Sequence, residues 1–251
     1  MSQLAHLRPR STAEIVDATF RFYRARAGDL LVVSALLLAP PALLGAIAPS
    51  SAERFMGMFS RWMYYFSQGA VAVLVAAALE RNEMPTAREV FRRLEGRWLK
   101  LITTSWLSAL MIILGFVLLI VPGIIALSWT MVALPVAAIE GRSSSPATER
   151  SRALARGRMK HVLGTMALVW LIVVALFFGA AFSLSVIPGV SELPDRLIGM
   201  ISELLLVPLA PVIGVAVTLL YYDLRVRSEG ADVSAMIAAL PATQPEVVTE
   251  A

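Results

Sequence analysis

The 251-residue chain is 58% apolar, 16% charged and has a mean hydropathy of +0.73; a soluble domain has roughly 45–50% apolar and about 25% charged residues. A water-soluble fold of this length cannot hide that much apolar surface, so the excess faces lipid. With no cysteine, disulfides, thiol redox chemistry and cysteine-based zinc sites are excluded. The net charge of +4 lies in short loops between apolar stretches, a distribution of membrane topology and not of nucleic-acid binding.

Residues 1–29 form an N-terminal segment. Ser11-Thr12-Ala13-Glu14 is a capping box. It opens a helix that places Ile15, Ala18, Thr19 and Phe22 on one face. The segment is too long and too acidic for the n-region of a cleaved signal peptide, so the first apolar run reads as a retained span.

A membrane region follows over residues 30–222. Six stretches reach spanning length without one Asp, Glu, Lys or Arg. They are Leu30 to Ala48, Trp62 to Leu79, Leu101 to Val121, Gly123 to Ile139, Val162 to Ile187 and Leu204 to Tyr222. In hydrocarbon the backbone must bond within each segment, so each is a helix. The third and fourth meet at Pro122-Gly123, which predicts a tight helical hairpin; a re-entrant pair is the alternative.

Two further short helices precede spans. Thr86-Ala87-Arg88-Glu89 opens one, with Val90, Phe91, Leu94 and Trp98 on adjoining positions. Ser145-Pro146 reads as a cap followed by proline at the first helical position, opening a third with Ala147 and Leu154. These short helices either lie on the inner leaflet or pack under the spanning bundle; amphipathicity alone does not separate the two. In the tail, residues 223–251, Asp232 is placed to cap a brief helix through Leu240, Pro241 ends it, and the remainder is expected to be disordered.

Nineteen of the 22 lysines and arginines fall on one side of this ladder, with the N-terminal segment and the tail on that side. Both termini are therefore expected in the cytoplasm. Proline recurs at the far ends of the odd spans, as Pro40-Pro41, Pro122-Gly123 and Pro188-Gly189. The whole reads as three copies of short helix, span, proline turn, span, related by an axis along the membrane normal. The expected fold is thus all-α: a polytopic membrane bundle of six transmembrane helices with short cytoplasmic interfacial helices and a threefold two-span repeat.

Groups able to carry chemistry are few. The two histidines are His6, near the N-terminus, and His161, at the mouth of the fifth span, where it reads as an interfacial anchor. Metal-binding, phosphate-loop and serine-hydrolase motifs are missing, so neither a catalytic, a cofactor-binding nor a metal-binding residue is assigned. Glu203 is the acid nearest a span interior and is placed at the outer headgroups near Arg196; Glu140 closes the fourth span and is placed to pair with the arginines that follow it. Uncharged spans do not suit a proton-driven pump.

Two stripes of small residues recur every fourth position: Ala175, Gly179 and Ser183 in the fifth span, and Ala210, Gly214 and Thr218 in the sixth. They are expected to let these helices approach closely, within the chain or between copies. Trp62, Trp98, Trp106, Tyr221 and Tyr222 lie near span ends, as aromatic belts do. Arg150, Arg152, Arg156, Arg158 and Lys160 are candidate contacts for anionic lipid at the cytoplasmic face. A permease would instead line a polar path with Gln68, Thr103, Thr104, Ser105 and Ser128.

Four stretches carry a family resemblance: LRPRSTAEIVDATFRFYR from Leu7 to Arg24, VPGIIALSWTMVALPVAAIEG from Val121 to Gly141, RSRALARGR from Arg150 to Arg158, and YYDLRVRSEG from Tyr221 to Gly230. Together they resemble the bacterial family named for the membrane domain of glycerophosphoryl diester phosphodiesterases, over nearly the whole chain. The resemblance implies a bacterial inner-membrane module. In fused members a separate soluble barrel holds the phosphodiesterase, and nothing in this sequence matches it, so no catalytic residue carries over. The expected function is non-enzymatic: anchoring or organising at the cytoplasmic leaflet, with the lipid bilayer and a protein of unknown identity as partners. A permease for a neutral or lipid-like solute is the competing expectation.

Overall fold

The computed structural model describes residues 9–81 and 85–239. Every regular element among them is helical. The order is short, long, long, three times over. The helix α1 (Thr12–Ala25) precedes α2 (Ala27–Ile47) and α3 (Glu53–Arg81). Next come α4 (Ala87–Arg93), α5 (Trp98–Leu118) and a second arm broken into α6 (Ile120–Thr130), α7 (Ala133–Pro135) and a π-helical turn over Val136–Glu140. Last are α8 (Ser144–Ala155), α9 (Met159–Ser185) and α10 (Asp195–Ala239). Six helical stretches are long and apolar enough to cross a membrane: Ala27–Ile47, Arg54–Glu80, Trp98–Leu118, Ile120–Glu140, Met159–Ser185 and Asp195–Gly230. His6 and the tail beyond Ala239 lie outside the described residues.

Local chemistry sets the helix starts. The Ser11 hydroxyl accepts from the Glu14 N–H at 3.3 Å, and the Glu14 carboxylate accepts from the Ser11 N–H at 2.7 Å, a closed capping box. The Thr86 hydroxyl accepts from the Glu89 N–H at 3.4 Å. The third start differs from expectation: α8 opens at Ser144, with Ser143 before it, so Ser145 and Pro146 sit inside the first turn. Proline is tolerated there because the first turn's N–H groups have no helical partner in any case.

The three short helices spend their apolar faces on the bundle. Ile15, Thr19, Val90, Leu94, Ala147 and Leu154 are all fully buried. The first packs against α10 and α9, the second against α3, the third against α5 and α6.

Two expected proline turns are not turns. Pro40 and Pro41 lie within α2, which continues to Ile47, and the chain reverses beyond it through a short 3-10 turn at Ser50–Ala52. The α5–α6 hairpin breaks at Leu119, in extended conformation (φ −169°, ψ 162°), and not at Pro122-Gly123. Pro122 falls in the first turn of α6, again where no donor is missed. Gly123 serves contact instead: a Cβ there would meet the Phe116 ring at 2.5 Å, and one on Gly115 would meet the Gly123 Cα at 2.9 Å. Only Pro188-Gly189 makes a turn as expected, with Gly189 at φ +86°. Likewise α10 runs unbroken through Asp232, which therefore caps no separate helix.

The core is centred where α3 meets α10. Val71, Leu74 and Val75 are buried against Val215, Ala216, Leu219 and Leu220. A Cβ on Gly214 would lie 2.8 Å from Val71, so glycine permits this approach. By contrast α9 buries one face, Val162, Thr165, Met166, Val169 and Val173, and only along its first half. Beyond Val173 it presents Leu176, Phe178 and Phe182 outward.

Candidate functional site

The polar chemistry of the molecule gathers at one end of the bundle, where the second, fourth and sixth uncharged stretches end, although α10 itself continues to Ala239. Each closes on an acid: Glu80, Glu140 and Asp223. Two adjacent tyrosines of α10 reach the first two, and the residue after them is the third. The Tyr222 hydroxyl donates to Glu80 at 2.7 Å and the Tyr221 hydroxyl donates to Glu140 at 2.9 Å. The third, Asp223, has a side chain only 1% exposed and accepts three bonds: the Arg10 N–H at 2.6 Å, the Arg227 guanidinium at 2.7 Å, and a 2.9 Å contact with His161 Nε2. Arg227 also donates to the Arg10 carbonyl at 2.6 Å. A buried carboxylate with three donors is a satisfied one.

Glu140 is the centre of a second cluster. Beside Tyr221 it pairs with Arg142 at 2.7 Å and Arg150 at 3.3 Å, and Arg150 continues to Glu229 at 2.6 Å, which Arg225 also meets at 3.0 Å. Burial lowers the Arg150 pKa, but its bond to Glu229 and the charge of Glu140 outweigh this and hold it above the ordinary arginine value.

The helix ending at Glu140 is capped by cations from the neighbouring arm. Gly141 turns left-handed at φ +69°, leaving carbonyls of the π-helical turn exposed to side chains. Arg97 donates to the Ala138 and Ile139 carbonyls, the latter at 3.3 Å, and Lys100 donates to the Gly141 carbonyl at 2.8 Å. Positive charge at a helix C-terminus is stabilising, and here it also closes the α5–α6 hairpin at its base. Arms of 21 residues each span about 32 Å, enough to cross a bilayer as a full hairpin.

The five cations expected to contact anionic lipid divide in two. Arg150 is engaged as above, Arg158 donates to the Arg227 carbonyl at 2.8 Å, and Arg152 stacks its guanidinium 3.9 Å over the Trp129 ring. Arg156 and Lys160 are exposed.

The small-residue stripes are not brought together. Ala210, Gly214 and Thr218 are buried, and Gly214 faces α3 rather than α9. Ala175, Gly179 and Ser183 are exposed, with open space where a Gly179 Cβ would lie. Of the polar set that a permease would use, Gln68 is buried with its amide donating to the Ala210 carbonyl at 3.1 Å. Thr103 is exposed and bonds the Leu99 carbonyl. Thr104 and Ser128 are fully buried with hydroxyls that meet no protein partner among the described residues, and Ser105 bonds the Ile102 carbonyl.

Towards the opposite end, Glu203 accepts from the Ser60 hydroxyl at 3.0 Å and lines a cavity of about 370 Å³ with Ser60, Arg61, Tyr64, Leu38 and Pro41. It lies two turns inside α10.

Compared with known protein families, curated proteins and solved structures, the chain matches none. The resemblance drawn from the four stretches therefore stands on those residues alone.

Sequence reasoning placed Glu140 among arginines but missed Glu80 and Asp223, and read Tyr221 and Tyr222 as belt residues. Both tyrosines are buried, 0% and 2% exposed. One signal was present in the chain: each even-numbered uncharged stretch is followed at once by an acid, and a tyrosine pair precedes the last.

Proposed function

We propose that the chain is an integral inner-membrane protein that crosses the bilayer six times with both termini in the cytoplasm. It works without catalysis, as a module that anchors or organises a partner at the cytoplasmic leaflet. One observation carries this reading. The charged end is cross-braced by Tyr221, Tyr222 and Asp223 to elements from every third of the chain, which suits a fixed platform rather than a moving gate. The short-long-long order, with an acid following the second uncharged stretch of each third, supports three related copies about an axis along the membrane normal. The likeness to the phosphodiesterase membrane domain supports the same reading. Exposed Arg88 and Arg92 on α4, and Arg156 and Lys160 after α8, are the outward charges of such a platform.

A permease for a neutral or lipid-like solute is the second reading, favoured by the buried, unpartnered hydroxyls of Thr104 and Ser128. Purified protein in sealed vesicles separates the two. The platform reading expects no glycerol or fluorescent-lipid movement above that of empty vesicles. It also expects a photo-cross-linker at position 88 or 156 to capture one and the same soluble protein in cells. Flux that disappears in Ser128→Val, with cross-links to lipid only, overturns it in favour of the permease.

A further inference from the structure

The side of the bundle away from the charged end holds an acid and a base that the platform does not use. Arg61 stands eight residues into α3 and Glu203 eight residues into α10, each about 12 Å from the helix start. The 29 residues of α3 reach about 43 Å, close to the full thickness of a bilayer with its headgroups. On the membrane reading above, on which this inference rests, both residues therefore lie just inside the hydrocarbon boundary. An arginine there reaches the headgroups with its long stem, whereas a glutamate does not. Among the described residues no ion pair joins the two, and Glu203 accepts a hydrogen bond from the Ser60 hydroxyl.

Arg61 also lines a second hollow. Between α3 and α5 runs a groove of about 290 Å³ walled by Met58, Trp62, Tyr65, Trp106, Leu110 and Ile113, with Arg61 at its edge as the one charged lining residue. Trp62 and Trp106 stack there at 5.8 Å between ring centroids. A single cation thus joins an apolar groove to a cavity that contains a carboxylate.

We propose that this paired hollow binds an aminophospholipid of the phosphatidylethanolamine type. Its phosphate meets Arg61, its primary ammonium meets Glu203 beside Ser60 and Tyr64, and an acyl chain lies on Trp62 and Trp106. The charge order fits a zwitterion: a base at the groove and an acid within the adjoining cavity. A purely anionic headgroup would leave Glu203 without a counter-charge at a depth where that is costly. A choline headgroup carries its charge behind methyl groups and cannot donate a hydrogen bond to the carboxylate.

The test uses the full chain in vesicles of phosphatidylcholine containing a minority of brominated lipid, with quenching of tryptophan fluorescence as the readout. Brominated phosphatidylethanolamine is expected to occupy the site about fivefold more strongly than brominated phosphatidylcholine, the factor one near-surface charge contact carries. Replacing both groove tryptophans, Trp62→Phe with Trp106→Phe, removes most of the preferential component. Glu203→Gln abolishes the preference for ethanolamine over phosphatidylglycerol, and Arg61→Gln weakens both. Equal quenching by all three lipids overturns the proposal. So does thermal coupling of Arg61→Gln with Glu203→Gln in the absence of lipid preference, which marks the pair as partners of each other. Trp170, exposed on α9, reports insertion independently: if vesicles made wholly of brominated phosphatidylcholine leave it unquenched, the membrane reading fails first and the lipid site with it.

Discussion

The Tyr222 hydroxyl lies 2.7 Å from a carboxylate oxygen of Glu80, joining residues 142 apart in the chain. The adjacent Tyr221 makes the equivalent bond to Glu140 at 2.9 Å, but Glu140 also holds Arg142 and Arg150. The two bonds are therefore unequal in what their loss leaves behind. Tyr222→Phe is expected to leave Glu80 without its described hydrogen-bond donor and to cost about 1–3 kcal/mol, the penalty of a stranded polar group. Tyr221→Phe should cost less. Thermal unfolding of both variants in detergent checks the ranking; the reverse order would mean that Glu80 finds another donor.

Glycine contacts make a second contrast. Alanine at Gly123 drives a methyl into the Phe116 ring, and alanine at Gly214 presses on Val71 and Gln68. Each is expected to destabilise by about 1–3 kcal/mol through overpacking. Gly179→Ala meets nothing within 4 Å and should leave stability unchanged or slightly raised. A loss at Gly179 as large as at Gly123 would reveal a contact between copies of the chain along α9.

These contrasts also mark what the sequence could tell. Ser11 and Glu14 were legible because a capping box is a contact across three residues, and the six long helices because hydropathy is additive along a segment. The proline turns were misread for a local reason. At Pro122 the first turn misses no donor, and at Pro40-Pro41 α2 carries on to Ile47 despite two lost N–H groups, as helices packed in a bundle tolerate. Leu119, where the hairpin does break, carries no turn signal at all. The Tyr-Tyr-Asp centre was out of reach because its partners outside α10 lie 62 to 213 residues away in the chain. Nothing in a linear reading says which helices will be neighbours.

Asp223 ties the segment before α1 to α10 through the Arg10 N–H and Arg227. Asp223→Asn keeps the shape and removes the charge that faces Arg227 and His161. Breaking a buried pair in this way costs about 3 kcal/mol. The N-terminal segment should then open, and trypsin cleavage after Arg10 should accelerate by about tenfold or more. Cleavage at the wild-type rate would show that α1 is held by its apolar face alone.

Tyr23 gives a pH dependence. Its hydroxyl donates to the Pro208 carbonyl at 2.9 Å, and burial raises its pKa above the ordinary 10.0. The folded chain thus holds this proton more tightly than the unfolded chain does. The stabilisation is complete below pH 10 and drains away as pH rises past it. Tyr23→Phe should cost about 1 kcal/mol near neutral pH and lose that deficit in alkali. Thermal midpoints of the two proteins measured from about pH 8 to about pH 11 should converge; a constant gap would mean that the hydroxyl does not titrate with folding.

The absence of cysteine makes orientation directly measurable. Arg156 is exposed at the charged end beyond α8, and Ser51 is exposed in the turn between α2 and α3 at the other end. If the lysine and arginine bias sets the orientation, single cysteines at these two positions face opposite sides of the membrane. A membrane-impermeant maleimide applied to spheroplasts should label Ser51→Cys at once and Arg156→Cys only after the membrane is permeabilised. Both substitutions sit outside the long helices' buried faces, so neither should disturb the fold. Labelling in the opposite order inverts the topology and moves the Tyr221–Tyr222–Asp223 centre to the outside. Equal labelling of both in intact spheroplasts removes the six-span reading altogether, because that reading puts three crossings, by α3, α5 and the arm ending at Glu140, between the two sites and so places them on opposite sides.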